Sequence, residues 1–400
     1  MTGSLSDGGT RATTTHTGQP LACVVVNPSK PRATAAVRTL LERELREAGY
    51  AGPVWLETSP SEPGTMQTRL ALAAGARLVV AAGGDGTVRS VAAGVAGTGV
   101  QMSIVPLGTA NLAARNLGIP VGAPRAAARA ASYGVDLPAD LAWVRTAPWD
   151  DSDADPVPAV ATGTAGPPGD PNEPNHSADS VSAVSSAGPS PLSSKAARAV
   201  RAVQRATRKT RQWTRPTLGD EHACMVVAGI GFDAGLVAST RPALKARVGW
   251  GAYALAAVEN LGSPRMDLVL SLLDEAGERR VERLRARNLL VANGGRLPAG
   301  ITLLPQARTD DGLLDVAAID TVAGLAGWSS LARQVLPPYA ARYSEPSRSL
   351  GRVVLRRGGE VAVQLSAPAL VEVDGDLLAP TQGMRVRIDP GALLIRRPPA

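Results

Sequence analysis

The sequence predicts an α/β domain with a mainly parallel sheet, followed by a second domain that is mainly an antiparallel β-sandwich. Three observations lead there. Short apolar runs alternate with helically spaced segments from Leu21 to about residue 147, with short connections between them. Residues 148–194, rich in Pro, Ser, Ala, Gly and Asp, then break the pattern with no periodicity. Beyond about Asp220 short β-like runs recur, most of them separated by turn residues.

Taken in order, Leu21–Val26 is an apolar run closed by Asn27-Pro28, as a buried strand entering a turn would be. Thr34–Ala48 spaces Val37, Leu40, Leu41 and Leu45 as a helix does, and Gly49 stops it. Val54–Leu56 reads as a strand, Met66–Ala74 as a helix and Leu78–Ala82 as a buried strand. A helix is expected from about Thr87, a strand over Met102–Pro106 and a further helix from about Asn111. In the second part, strands are expected at Met225–Ala228, Leu268–Leu273, Asn288–Ala292, Asp315–Ile319, Val353–Leu355, Val361–Leu365 and Ala369–Val373, with one helix over Trp250–Leu261. The organisation is therefore a disordered tail (1–19), a first domain (20–147), an insertion (148–218) with a basic helix (195–216), a second domain (219–380) and a terminal segment (381–400) returning to the first domain.

Composition narrows the function. The net charge of +7 is uneven: residues 195–216 hold eight Lys/Arg and no acid, so the rest of the chain is close to neutral. Cys23 and Cys224 each open an apolar run and read as buried small hydrophobes in a reducing compartment. The polar N-terminus has no apolar leader, and no window approaches a membrane span. A cytoplasmic, peripherally membrane-associated protein is the expectation. His16, His176 and His222 lie away from every motif below, which argues against His-based catalysis.

Chemistry concentrates in Leu78-Val-Val-Ala-Ala-Gly-Gly-Asp-Gly-Thr87. A buried strand ends in glycines around one Asp, and a helix begins. Gly83, Gly84 and Gly86 would let backbone N–H groups approach a phosphate, and the helix terminus ending in Thr87 would favour its charge. Asp85 beside phosphate implies Mg²⁺ or bound water. No Lys-Ser/Thr follows, so this is not a Walker A loop, nor is it a dinucleotide G-x-G-x-x-G. A second turn, Pro106-Leu-Gly-Thr-Ala-Asn111, also joins strand to helix and offers Gly108, Thr109 and Asn111. Two such turns at strand ends define a crevice of the kind in which open sheets bind ligands.

Together these turns resemble the catalytic domain shared by diacylglycerol kinases, sphingosine kinases and soluble bacterial lipid kinases. The resemblance starts at Val24-Val-Val-Asn-Pro-Ser-Lys30 and runs through Ala228-Gly-Ile-Gly-Phe-Asp-Ala-Gly235, Thr309-Asp-Asp-Gly-Leu-Leu-Asp315 and Val371-Glu-Val-Asp-Gly-Asp376. It implies an ATP- and Mg²⁺-dependent kinase acting on the hydroxyl of a membrane lipid. By family position Asn27, Lys30 and Thr58 neighbour the nucleotide. Asp311 and the carbonyl of Leu313 would hold a structural Mg²⁺, and Asp140 would join its network. Asp374 would be the general base, with Asp376 where relatives carry Glu. Leu112 stands where many relatives have a second Asp, so part of that acidic network is missing or supplied elsewhere. Taken without the family, Asp374-Gly375 reads as a hairpin turn.

NAD kinase shares the Gly-Gly-Asp-Gly motif and is the nearest rival, and a catalytically silent nucleotide-binding protein is the other. The basic stretch puts Arg198, Arg201, Arg205 and Arg208 on one helical face, suited to an anionic membrane surface or to pairing with the acids between Asp150 and Asp179. It carries a single aromatic, Trp213, and no series of base-stacking aromatics, so nucleic acid is not expected as a partner. Self-association as a homodimer stays open.

Overall fold

The computed structural model describes residues 19–146, 217–218, 220–231, 264–296, 304–321 and 351–399. The tail, the insertion with its basic helix and the helix expected over Trp250–Leu261 fall outside the described residues.

The first domain opens with β1 (Leu21–Val26), α1 (Ala35–Glu47), β2 (Ala51–Glu57), α2 (Thr65–Ala73), β3 (Ala76–Gly83), α3 (Asp85–Val95) and β4 (Gln101–Pro106). It continues through α4 (Leu112–Asn116), α5 (Pro124–Tyr133) and β5 (Val135–Arg145). Strands β2, β1, β3 and β4 lie side by side and parallel. Their residues alternate between two cores, which is why each reads as one unbroken apolar run. Ala22, Val24, Leu78 and Val80 face Leu41 and Leu45 of α1 and Ala128 and Ala131 of α5. Cys23, Val25, Val79 and Ala81 face Val88, Val91 and Ala92 of α3 and Ala113 of α4 on the other side. Both cysteines are free and buried.

The remaining elements are β6 (Thr217–Leu218), β7 (Glu221–Cys224), β8 (Val227–Gly231), β9 (Met266–Leu273), β10 (Arg279–Ala286), β11 (Asn288–Ala292) and β12 (Leu314–Thr321). They are followed by β13 (Gly351–Gly358), β14 (Glu360–Ala369), β15 (Val371–Val373), β16 (Asp376–Leu377) and β17 (Thr381–Arg397). Six of these strands form a second sheet in the order β13-β12-β11-β8-β15-β16, antiparallel throughout. Its partner layer is β10-β9-β14-β17, the continuation of the first domain's sheet. Leu270, Val363, Met384 and Val386 on one layer meet Ile230, Leu289, Val316 and Val371 on the other.

Strand β17 joins the two halves. It pairs antiparallel with β14 and β5 and, at its end, parallel with β4, where Ile395 sits beside Met102. Several expected boundaries differ; Ala369–Val373, for one, is divided at Leu370 between β14 and β15. The run Met225–Ala228 is not one strand: Met225 and Val226 form a bend between β7 and β8. Within the Gly-rich segment 228–235, Ala228–Gly231 is strand β8 and not a turn, because its backbone is taken up by β11 and β15.

Ile395 is fully buried in the parallel-sheet core on the strand that also completes the sandwich. Ile395→Ala should cost about 2–5 kcal/mol. Urea unfolding followed by tryptophan fluorescence and by far-UV circular dichroism should shift as one coincident transition, because β17 couples the domains.

Candidate active site

The parallel strands deliver their C-terminal ends to one edge of the sheet. Backbone bonds there carry the pairing one residue further: Asn27 N–H donates to the Ala82 carbonyl at 3.0 Å, Thr58 N–H to Val26 at 2.8 Å and Leu107 N–H to Gly83 at 2.8 Å. The Asn27 side chain shapes its own turn, with Oδ1 accepting from the N–H and hydroxyl of Ser29 at 3.0 and 2.7 Å.

The two glycine turns meet backbone to backbone. A Cβ on Gly108 would lie 2.6 Å from Gly84 Cα and 2.9 Å from Asn111 Oδ1, so only glycine fits. Buried Asn111 adopts a left-handed φ of 49° and locks the second turn. Its Oδ1 accepts from Gly108 N–H at 2.9 Å, and its Nδ2 donates to the Gly108 carbonyl at 2.7 Å. Lys30 Cε lies 3.5 Å from where a Gly84 Cβ would be, and Arg32 donates to the Gly108 carbonyl at 3.4 Å. Two cations from the turn after β1 thus stand over the glycines. Gly86 faces open space, Thr87 is buried and Thr109 is exposed.

Asp85 is the first residue of α3, two positions earlier than the expected helix start. Its carboxylate accepts the N–H of Ala113, in the first turn of α4, at 3.3 Å. Burial pushes this carboxyl up; the amides of Ala113, Leu112 and Asn111 oppose that, and the charge on Asp374 adds to it. The second domain therefore reaches the phosphate-type turn electrostatically.

Asp374 lies in the two-residue turn between β15 and β16, with φ of 48° before Gly375 at 90°, as a type I′ hairpin requires. Its side chain turns inward. Oδ2 accepts from Met225 N–H at 2.6 Å, and Oδ1 from Val226 and Val227 N–H at 2.9 and 3.0 Å. The bend at Met225–Val226 exists to present those amides. Burial pushes the Asp374 carboxyl up, against Arg89 and the three amides, which hold it down. Burial, with Asp374 beside it, raises the Cys224 thiol well above its ordinary value, so it is no nucleophile at neutral pH.

Arg89, one helical turn past Asp85, joins the halves of the site. Its guanidinium donates to the Val373 carbonyl and to the carboxylate of Asp376. Asp376 is half exposed, while Arg89 is buried.

The residues expected to hold a structural Mg²⁺ are engaged otherwise. Asp140 is buried, with Oδ2 accepting from Gly312 N–H at 2.7 Å and Oδ1 from Gly391 N–H at 2.8 Å. Asp311 pairs with the Arg357 guanidinium and accepts the N–H of Leu313 at 3.2 Å. Among the described residues no three His, Cys, Asp or Glu side chains gather as a cation site. Asp311 is thus taken up by Arg357, and Asp140 by the Gly312 and Gly391 amides, which ties the loop to β17 and leaves neither side chain set out as a cation ligand.

Arg32, Arg89, Arg357 and the amides of Met225–Val227 are the site components that the motifs did not single out. Arg89 alone had a signal, since it lies four residues after Asp85 and so on the same helical face. The others act across elements far apart in sequence.

Comparison with known proteins agrees with this architecture. The diacylglycerol kinase catalytic domain matches residues 21–144, and the YegS C-terminal NAD kinase beta sandwich-like domain matches residues 224–397. These two matches together span most of the chain, which belongs to the diacylglycerol kinase catalytic-domain family and so to a family of kinases. Among its relatives, a protein named "Probable lipid kinase YegS-like" from Pseudomonas syringae pv. tomato is 50% identical over 58 residues, 14% of this chain and 19% of that protein. One of the same name from Pseudomonas putida is 40% identical over 80 residues, 20% of this chain and 27% of that one. The chain thus aligns with about a fifth to a quarter of the length of these relatives. A solved diacylglycerol kinase from Bacillus anthracis str. Sterne superposes with a TM-score of 0.60 at 16% identity, covering 95% of this chain and 98% of the other, which shows the shared fold.

Two outcomes follow from the geometry. Gly108→Ala must force the two turns apart and should cost about 1–3 kcal/mol, whereas Gly86→Ala, with open space inside a helix, should be neutral or stabilising by up to about 1 kcal/mol. Chemical denaturation of the pair measures both. Asp85→Asn tests the buried carboxyl. An unfolded Asp titrates near about 3.9, and the folded group titrates higher, so its contribution to stability is full below that value and is lost as pH rises through the folded one. The melting temperature of Asp85→Asn relative to wild type should therefore climb between acidic and neutral pH; a constant difference contradicts the assignment.

Proposed function

We propose that this chain is an ATP-dependent lipid kinase, transferring the γ-phosphate of ATP to a hydroxyl of a membrane lipid of diacylglycerol or sphingoid type. The observation that carries the reading is the convergence of a two-glycine cradle and the Asp374 turn, joined through Arg89. Gly83–Thr87 and Gly108–Asn111 would hold the nucleotide phosphates. Lys30 and Arg32 would add positive charge, and Asn27 and Thr58 would border the nucleotide at adjoining strand ends. Mg²⁺ accompanying the nucleotide would offset phosphate charge and orient the chain.

Asp374 would act as general base. Its carboxylate orients the lipid hydroxyl and takes its proton as the new oxygen–phosphorus bond forms; the bond from the γ-phosphorus to the bridging oxygen breaks and ADP leaves. A carboxyl raised by burial is closer to the basicity such a role needs. Asp376 would hold the hairpin through Arg89. The lipid would be met at the bilayer surface, since among the described residues no helix is long and apolar enough to cross a membrane. The basic residues 195–216 would favour an anionic surface there. The names of the relatives support lipid over NAD as acceptor.

Purified protein incubated with γ-labelled ATP and either mixed lipid vesicles or NAD tests the reading. Label should appear in organic-extractable lipid; label in NADP instead, or in neither, would overturn it. Asp374→Asn should lower kcat on the order of 10²–10⁴-fold with ATP affinity largely kept. Loss of ATP affinity with kcat spared would make Asp374 a binding residue.

A further inference from the structure

Arg89 is an unusual residue to find inside a protein. It is 4% exposed, and a guanidinium buried to that degree needs fixed partners. Burial opposes its charge, but Asp376 and Asp374 outweigh that and keep it protonated. Both of its hydrogen-bond partners flank one turn: the Val373 carbonyl comes immediately before Asp374, and the Asp376 carboxylate two residues after it. The other face of the same turn is held by the Met225–Val227 amides. On the helix that carries Arg89, Asp85 stands one turn back at the glycine cradle.

We propose that Arg89 is a positioning residue for phosphoryl transfer, fixing the Asp374 turn to the phosphate-binding helix so that base and cradle keep one geometry. The proposal rests on Asp374 being the base. Its two acceptors, a carbonyl and a carboxylate, suit the planar fork of arginine, and the single ammonium of lysine cannot span them in the same way. The arrangement also sets the charge around the base. Asp374 is faced by Arg89 and Asp85 from α3 and by Cys224 from β7, while on its own hairpin Asp376 pairs with Arg89 and Glu372 lies near Cys224. Arg89 is the only cation in that group, so its removal leaves Asp374 among like charges and buried. Misplacement of a reacting group by about 1 Å is enough to cost on the order of 10²-fold in rate.

The test compares wild type, Arg89→Met, Arg89→Lys and Asp376→Asn in the full chain. It measures kcat against pH, KM for ATP and the ¹³C-carboxyl titration of Asp374 in aspartate-labelled protein. Arg89→Met should lose kcat on the order of 10²-fold with KM for ATP little changed. Its acidic limb and the Asp374 titration should both move to higher pH. Arg89→Lys, keeping charge but not the fork, should hold the limb in place and recover kcat only in part. Asp376→Asn should lower kcat and, by removing a negative charge, move the limb slightly to lower pH. A folded Arg89→Met with unchanged Asp374 titration and pH profile, whatever its rate, would overturn the proposal as a purely structural contact. Should Arg89→Met fail to fold, full kcat in both Arg89→Lys and Asp376→Asn would overturn it equally. If wild type transfers no phosphate, the functional reading fails separately, and the carboxyl titration still decides whether Arg89 governs Asp374.

Discussion

The site depends on one strand meeting the demands of several neighbours at once. Within seventeen residues, β17 runs antiparallel along β14 and β5 and then parallel beside β4. Met384 and Val386 fill the sandwich core, while Leu393 and Ile395 fill the parallel-sheet core. Between those halves the register with β5 shifts over Asp389–Leu393, and there Gly391 gives its N–H to Asp140. The same carboxylate takes the N–H of Gly312. A single buried Asp therefore fixes the bend of β17 and the loop before β12, and with them the placement of one domain on the other.

Much of the first domain was legible because burial on both sheet faces writes strands as apolar runs. β1, β3 and β4 match their expected bounds to within two residues for this reason. The strands passed over are those whose sequence obeys another constraint. β10, Arg279-Arg-Val-Glu-Arg-Leu-Arg-Ala286, is an edge strand and carries charge as edges do. β5 holds Asp136, Pro138 and Asp140, and β17 holds Asp389-Pro-Gly391, residues that usually end strands. In both, the disruptive residues lie where the pairing shifts or a side chain bonds across domains. The glycine turns and the Asp-Gly hairpin were legible as local chemistry. What no local pattern could state is that the hairpin's aspartate turns inward onto the amides of residues 225–227.

Charge around Asp311 is handled by arginine. Arg357 reaches Asp311 directly and Asp315 at 3.7 Å, with Glu275 at 3.9 Å, so one guanidinium serves three carboxylates from two segments. Burial pushes the Asp315 carboxyl up, and Arg357 counters it. Arg89 plays the equivalent part on the other side of the sandwich sheet. A guanidinium stays charged throughout the physiological range and, being covalent, does not exchange with solvent.

The position of β17 also bears on how the chain reaches its fold. It follows every other described strand in the sequence, yet it lies between β4 and β14, in the middle of the large sheet and not at its edge. Until it arrives, β4 has an open hydrogen-bonding side, and the sandwich layer of β10, β9 and β14 has nothing to join. A chain in which β17 has not yet docked holds two half-sheets with unpaired borders, prone to pairing with other chains. Contacts between residues 101–103 and 394–396 join positions 293 residues apart, so long-range closure weighs heavily in folding, which should be slow for the chain's size. The strand that unites the two domains is thereby the step on which chaperone dependence would concentrate.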